Sequence, residues 1–259
     1  MNADEYSNLE RVERDHWYYS GKRELVRHWL EYFGPLRAEQ RLLDCGAGTG
    51  IFAKELEGLC QVSVLDDHEE SIRILKTRFP DERILRVSGA SIPLAAGSLD
   101  YLTALDVLEH IEADSAAVTE FARVLKPGGC AVVTVPASMA LWSDWDEALH
   151  HYRRYDRKGL KRLFLSPEWE ILHVNYTNIP AFPAVWLIRK WRGIRARKGA
   201  PVEHRSEDAI PPKPLNSVLR WLFVSLGTVR HIPFPFGVSL ILVARRRQDQ
   251  SAKRASDTR

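Results

Sequence analysis

The sequence predicts an α/β fold, a doubly wound and mostly parallel sheet, on three observations. From residue 41 to residue 135, short apolar runs alternate with amphipathic stretches, the pattern of repeated βα units. A glycine-rich turn stands where the first strand hands over to the first helix of that series. The 259 residues, 45% apolar and 27% charged, are enough for one large core or two modest ones and exclude a disordered or collagen-like chain.

Each element follows from its pattern. Residues 23–33 carry Leu25, Val26, Trp29, Leu30 and Phe33 at helical spacing and stop at Gly34-Pro35. A strand is expected over 41–45, a helix over 51–59, a strand over 61–65 and a helix over 69–78 closed by Phe79-Pro80. Strands over 83–87 and 99–105, a helix over 113–125, a turn at Pro127-Gly128-Gly129 and a strand over 130–135 continue the series. After an aromatic, charged loop come a helix over 157–164, a strand over 169–176 and a last strand over 237–244. Residues 177–236 between the last two strands are longer than an ordinary connection and read as an insertion. Four parts result: a helical cap or lid over 1–36, a core over 37–176 and 237–246, the insertion, and a disordered tail over 247–259.

Charge narrows the function. Lys and Arg total 37 against 34 Asp and Glu, a formal +3 that demands no nucleic-acid partner. Cys45, Cys60 and Cys130 lack paired spacing or nearby His clusters, so neither a disulfide framework nor a metal site is expected. The first residues are acidic and polar, unlike a secretory signal, and no apolar run reaches the length of a membrane span. A cytoplasmic location is expected, with contact to the inner face of a membrane through the insertion as an added reading.

The strongest local signal is Leu42-Leu43-Asp44-Cys45-Gly46-Ala47-Gly48-Thr49-Gly50. Glycine brings backbone close to a ligand, and the helix N-terminus that follows favours an anionic or polar ligand group. Asp66 ends the next strand, where a carboxylate can accept both hydroxyls of a ribose. A nicotinamide-dependent oxidoreductase is the serious competitor, because Asp66 follows Gly46 by about 20 positions. The spacing, however, is G-x-G-x-G rather than G-x-G-x-x-G, and Asp44 would repel a pyrophosphate but suit an ammonium. A zwitterionic, nucleoside-bearing ligand is favoured. The bland alternative has the glycines ending a strand and Asp66 capping a helix.

LLDCGAGTG, the acid of VSVLDD, GASIPLAAGSLDYLTALDVLEHI and RVLKPGGCAVVTVP together resemble the successive motifs of class I S-adenosylmethionine-dependent methyltransferases. The resemblance covers about residues 41–136 and implies a Rossmann-like sheet of seven strands with the last antiparallel. It also implies S-adenosylmethionine as cofactor. Asp44, Gly46, Ala47, Gly48 and Gly50 would then hold the methionine end, Asp66 with its neighbour Asp67 the ribose, and Asp106 with Val107 the region under the cofactor. Many relatives carry an acid near Gly89-Ala90-Ser91 to meet adenine; none stands there, so Ser91 or backbone is expected to serve. HWYYSGKREL, LWSDWDEALHHYRRYDRKGL and PFPFGVSLILVARR are similar to a bacterial methyltransferase subgroup of undefined substrate with an apolar segment before the last strand.

Methyl transfer is mostly a matter of position and dryness, with a base needed only if an acceptor proton must leave. His110, His150, His151 and Tyr155 are the candidates for that base. Arg153 and Arg154 can clamp a carboxylate or phosphate of the acceptor, or else pair with Asp144, Asp146 or Asp156. Trp17 and Tyr18 are candidate lid and substrate contacts, or simple packing. The insertion places Trp186, Trp191, Trp221 and Phe223 among Arg189, Lys190, Arg192, Arg195, Arg197 and Lys198, which suits either a membrane surface or a helical cap on the domain. The resulting expectation is methyl transfer to an oxygen or nitrogen of a small or lipid-linked acceptor. Besides the oxidoreductase, the other alternative is a non-catalytic, membrane-peripheral protein that keeps the fold. Oligomeric state is left open.

Overall fold

Glycine and proline punctuation divides the chain into helices and strands that a computed structural model describes over residues 3–87, 91–197 and 209–248. In chain order these are α1 (Ala3–Val12), α2 (Trp17–Phe33), β1 (Arg41–Cys45), α3 (Ile51–Leu56), β2 (Gln61–Asp66), α4 (Glu69–Arg78), β3 (Ile84–Arg86), β4 (Leu99–Leu105), α5 (Asp114–Val124), β5 (Leu125–Pro136), α6 (Asp144–Ala148), α7 (Arg157–Leu163), β6 (Trp169–Thr177), α8 (Phe182–Arg197), α9 (Lys213–Gly227) and β7 (Ser239–Arg246). The expected tail beyond Gln248, the basic middle of the insertion from Lys198 and the Gly89-Ala90 turn lie outside the described residues.

Seven strands form one sheet in the order β3-β2-β1-β4-β5-β7-β6, the Rossmann-like methyltransferase arrangement. All pairs are parallel except those of β7, which runs antiparallel between β5 and β6. Successive side chains of a strand face opposite ways. Leu42 accordingly joins one core with α2, α3, α4 and α9, while Leu43 joins the other with α5 and α7. Strand order reverses between β1 and β4, so the carboxyl ends of those two strands open the crevice where such sheets bind ligands.

Three boundaries differ from the sequence reading by three residues or more. Helix α2 begins at Trp17, ahead of residue 23, because the His16 imidazole accepts from the Tyr18 N–H and caps it. Its Leu25, Val26, Trp29 and Leu30 are fully buried, so the N-terminal segment expected as a cap is built into the core. Strand β5 begins at Leu125 rather than residue 130, since Leu125 pairs with Leu99 before a bulge. Helix α3 stops at Leu56, short of residue 59.

The insertion forms α8 and α9. Helix α9 lies on α2 at close range: a Cβ on Gly227 would sit 2.6 Å from Leu25 Cδ2, and Trp29 Nε1 donates to the Gly227 carbonyl at 3.2 Å. Phe223 is buried in the same seam, worth about 2–3 kcal/mol. Leu187, Ile188 and Trp191 of α8 and Leu215, Val218 and Trp221 of α9 remain exposed. Among the described residues, no helix is long and apolar enough to cross a membrane.

Candidate functional site

The glycine turn leaves β1 with Gly46, Gly48 and Gly50 all at positive φ, between +58° and +76°, a region that strains any residue with a Cβ. Two of the three are also enclosed. A Cβ on Gly46 would meet Val107 Cγ2 at 2.5 Å, and one on Gly50 would meet Leu75 and Phe79 at 2.6 and 2.7 Å. Around a Cβ at Gly48 there is nothing within 4 Å, so the turn shows bare backbone to open space there.

Two carboxylates flank this turn. Asp44 is buried on β1, and Thr103 on the neighbouring β4 donates its hydroxyl to Asp44 Oδ1 at 2.6 Å. Burial pushes the Asp44 carboxyl up to about 7, with Thr103 pulling down and Asp66 adding to the rise. Asp66 Oδ2 accepts from the Gly48 N–H at 2.9 Å, and Oδ1 accepts from Asp67 and His68 N–H at 2.9 and 3.0 Å. Asp66 thus ties the turn to the end of β2, and His68, not Asp66, caps α4. A carboxylate has about four acceptor sites, so one remains beside Gly48. Asp67 itself is exposed. Ser91 Oγ turns to Glu120 at 3.3 Å.

The N-terminal segment reaches both ends of the crevice. Thr49 donates its hydroxyl to the buried Glu13 at 2.5 Å, and Arg78 bridges the Thr49 carbonyl and Glu10. At the end of β4, Asp106 takes a positive φ of 55° and receives Lys22 Nζ from α2 at 2.5 Å and the Thr134 hydroxyl at 2.9 Å. Burial raises the Asp106 carboxyl, but Lys22 outweighs it and holds the group below its ordinary value. Tyr18 OH lies 3.3 Å from Ser239 Oγ, and the Tyr18 and Trp17 rings meet Phe223 edge-on. The two candidate lid aromatics therefore pack against the insertion.

The candidate bases separate. His110 and His151 come together edge to face, ring centres 4.6 Å apart, next to the buried Glu109. Part of the His110 side chain stays exposed, but its ring nitrogens lose enough water to lower the imidazole to about 4, and His151 adds to that, so His110 is neutral at pH 7. Burial holds the Glu109 carboxyl well above its ordinary range. His150 stands exposed on a turn at φ 56°. Tyr155 is a buried tie: its hydroxyl bonds to the Leu108 carbonyl and to Asp114 at 2.9 Å, and burial raises its pKa far out of a base's range.

The arginine clamp is corrected in the same way. Arg154 pairs with the fully buried Asp146 at 2.6 Å and donates to the Ala137 carbonyl; Arg153 pairs with Asp114 at 2.7 Å and donates to the Glu112 carbonyl. Both guanidiniums hold the loop after β5 rather than reaching for an acceptor. Asp146, named from sequence only as one of three acids that could pair with the arginines, is a hub that gathers Arg154, Arg189 of α8 and His151 Nδ1 at 3.0 Å. Burial would raise its carboxyl, yet these partners bring it down to about 2. Lys22, Glu109 and Thr103 were missed by sequence reasoning.

The fold and crevice place a ligand site at the carboxyl ends of β1 and β4, and the comparisons say what the chain is similar to. Residues 43–133 match the family described as Methyltransferase domain. A Mycobacterium sp. (strain JLS) protein named "Uncharacterized methyltransferase" is 32% identical over 126 residues, 45% of this chain and 50% of that protein. A Mycobacterium tuberculosis (strain H37Rv) protein named "Probable S-adenosylmethionine-dependent methyltransferase" is 28% identical over 145 residues, 54% of this chain and 53% of its own length. The chain thus spans about half the length of the curated relatives it matches. Among solved structures, a Thermotoga maritima S-adenosylmethionine-dependent methyltransferase superposes with TM-score 0.59 at 17% identity over 94% of this chain and 96% of its own. Haemonchus contortus phosphoethanolamine N-methyltransferase 2 gives 0.56 at 20% identity, over 86% of this chain and 52% of its own. Residues 43–133 are thus similar to a methyltransferase domain, and S-adenosylmethionine is the cofactor to which the relatives point.

Proposed function

We propose that this protein is an S-adenosylmethionine-dependent methyltransferase acting on a hydroxyl of an acceptor with an apolar portion. The observation that carries the cofactor is the open face of Gly48 between buried Asp44 and Asp66. These residues fit the group: Asp44 suits an ammonium, the uncovered backbone at Gly48 admits close approach, and Asp66 keeps an acceptor site for a ribose hydroxyl. When bound, S-adenosylmethionine supplies a sulfonium methyl carbon that an oxygen lone pair can take as the carbon–sulfur bond breaks toward sulfur. Val107 supports the turn from below, and Lys22 fixes Asp106 at the end of β4. A hydroxyl acceptor is supported by the pair His110 and His151 at the end of β4, with His151 oriented by Asp146, which offers polar groups where an acceptor oxygen would stand.

The apolar portion of the acceptor, and a membrane-peripheral placement, are supported by the exposed Leu187, Ile188, Trp191, Leu215, Val218 and Trp221. Incubation of cell extract and lipid fractions with isotopically labelled S-adenosylmethionine, followed by mass spectrometry, tests the reading. One O-methylated product is expected. Label found only on nitrogen would replace the hydroxyl, and no labelled product from any fraction would favour a non-catalytic role.

A further inference from the structure

Glu109 presents the least satisfied polar group in the site. The short turn at Leu108–His110 after β4 directs its side chain inward, where it is 0% exposed and neither carboxylate oxygen finds a hydrogen-bond partner among the described residues. A buried carboxylate left in this way is costly and calls for a donor or a cation. The groups next to it are imidazoles. One ligand atom each from Glu109, His110 and His151 lies within 4.8 Å of the others.

His151 is also held from behind. His151 Nδ1 sits 3.0 Å from Asp146 Oδ1, and the His110 ring packs edge-on against the His151 ring. The His151 ring is thereby oriented with Nδ1 on a carboxylate and Nε2 left over, the arrangement in which a carboxylate fixes the tautomer of a metal-ligating histidine. Arg154 and Arg189 neutralise Asp146, which leaves Glu109 as the carboxyl that the cluster itself offers to a cation.

We propose that Glu109, His110 and His151 form a binding site for one divalent transition-metal ion. Two imidazoles and one carboxylate are a borderline donor set that suits zinc, cobalt, iron or manganese better than calcium, and three protein ligands leave coordination positions open. Bonds of about 2.0–2.2 Å require the three side chains to draw in by about an ångström from their present separations. The site stands on its own geometry. Its use deepens the methyl-transfer reading and rests on it: an ion at this place holds the acceptor hydroxyl and makes its proton easier to lose.

The test uses the full chain, stripped with chelator and titrated with cobalt(II) chloride while visible ligand-field absorption is read. Saturation at one equivalent and displacement by zinc(II) are expected. Glu109→Gln and His110→Ala should each weaken cobalt binding by at least about 100-fold, while S-adenosylhomocysteine affinity, measured on the same samples, stays within about threefold. His110 is exposed, so its replacement leaves a folded protein even if the buried Glu109 variant fails. No saturable absorption by the unaltered protein, or binding undiminished in His110→Ala, overturns the site. Failure of the unaltered protein to bind S-adenosylhomocysteine would instead overturn the cofactor reading, whatever the metal does.

Discussion

If Asp44 meets the cofactor's ammonium as proposed, cofactor affinity depends on pH in a direction that can be worked out. Its carboxyl lies near pKa 7, so one unit below that about nine in ten molecules of the cofactor-free protein hold it protonated. An ammonium bound beside it requires the ionised form, and binding then releases a proton. Affinity for S-adenosylhomocysteine should rise with pH and level off above 7, the gain between pH 5.5 and 7.5 being about 25-fold, or about 1.9 kcal/mol. Asp44→Asn keeps the acceptor for Thr103 but cannot ionise. It should abolish the slope and weaken binding at pH 7.5 by about 1.5–3 kcal/mol, the scale of a hydrogen bond to a charged group. Stability moves oppositely. The folded protein binds more protons at Asp44 than the unfolded chain between about 4 and 7, so this group's contribution falls as pH rises through that window. The Asp44→Asn variant should therefore melt higher than the unaltered protein at pH 8. Isothermal titration calorimetry across the range, with melting curves alongside, reads both. A flat affinity profile in the unaltered protein, or an equal slope in the variant, refutes the ammonium role.

The other perturbations separate binding from folding. Gly46→Ala drives a methyl into Val107 and should lower unfolding free energy by more than about 2 kcal/mol, whereas Gly48→Ala should lose only about 1–2 kcal/mol of stability from its positive φ while weakening S-adenosylhomocysteine binding more than tenfold. Urea unfolding and calorimetry on both variants make the comparison, and equal binding by the two would contradict it. Asp146, held near 2 against an ordinary 3.8, contributes about 2 kcal/mol that is present above pH 4 and lost as pH falls through 2. Arg154→Met should cost about 3 kcal/mol in urea at pH 7 by leaving that buried charge with fewer partners. Replacing Leu187, Ile188 and Trp191 together by serine should abolish co-sedimentation with anionic vesicles and leave the melting temperature nearly unchanged, because all three are exposed. Undiminished sedimentation removes the membrane role.

Local chemistry explains which features could be read from residues alone. Strands β1, β2 and β4 and helix α4 sit where apolar runs and Pro or Gly punctuation put them, and the glycine turn is legible because its three positive-φ positions need glycine wherever the chain folds. The start of β5 was hidden by Lys126-Pro127-Gly128-Gly129, which reads as a turn until Leu99 offers Leu125 a partner across the bulge. Trp17 and Tyr18 looked like a loose cluster; the His16 cap and their packing on Phe223, distant in the chain, make them the first turn of α2. Glu109 reads as an ordinary surface acid in DVLEHI, and its inward turn depends on the Leu108–His110 geometry. Arg153, Arg154 and Asp146 lie close in sequence, yet which carboxylate takes which guanidinium is settled by the fold of the loop against β5. No spacing rule links His110 to His151.

The central claim is that the turn at Gly46, Gly48 and Gly50 holds S-adenosylmethionine between Asp44 and Asp66. A crystal structure of the protein grown with S-adenosylhomocysteine tests it most directly. The predicted density lies along Gly48, with the amino group within hydrogen-bond reach of the Asp44 side and the ribose hydroxyls on Asp66. Ligand bound elsewhere at full occupancy, with open space still above Gly48, would contradict the account.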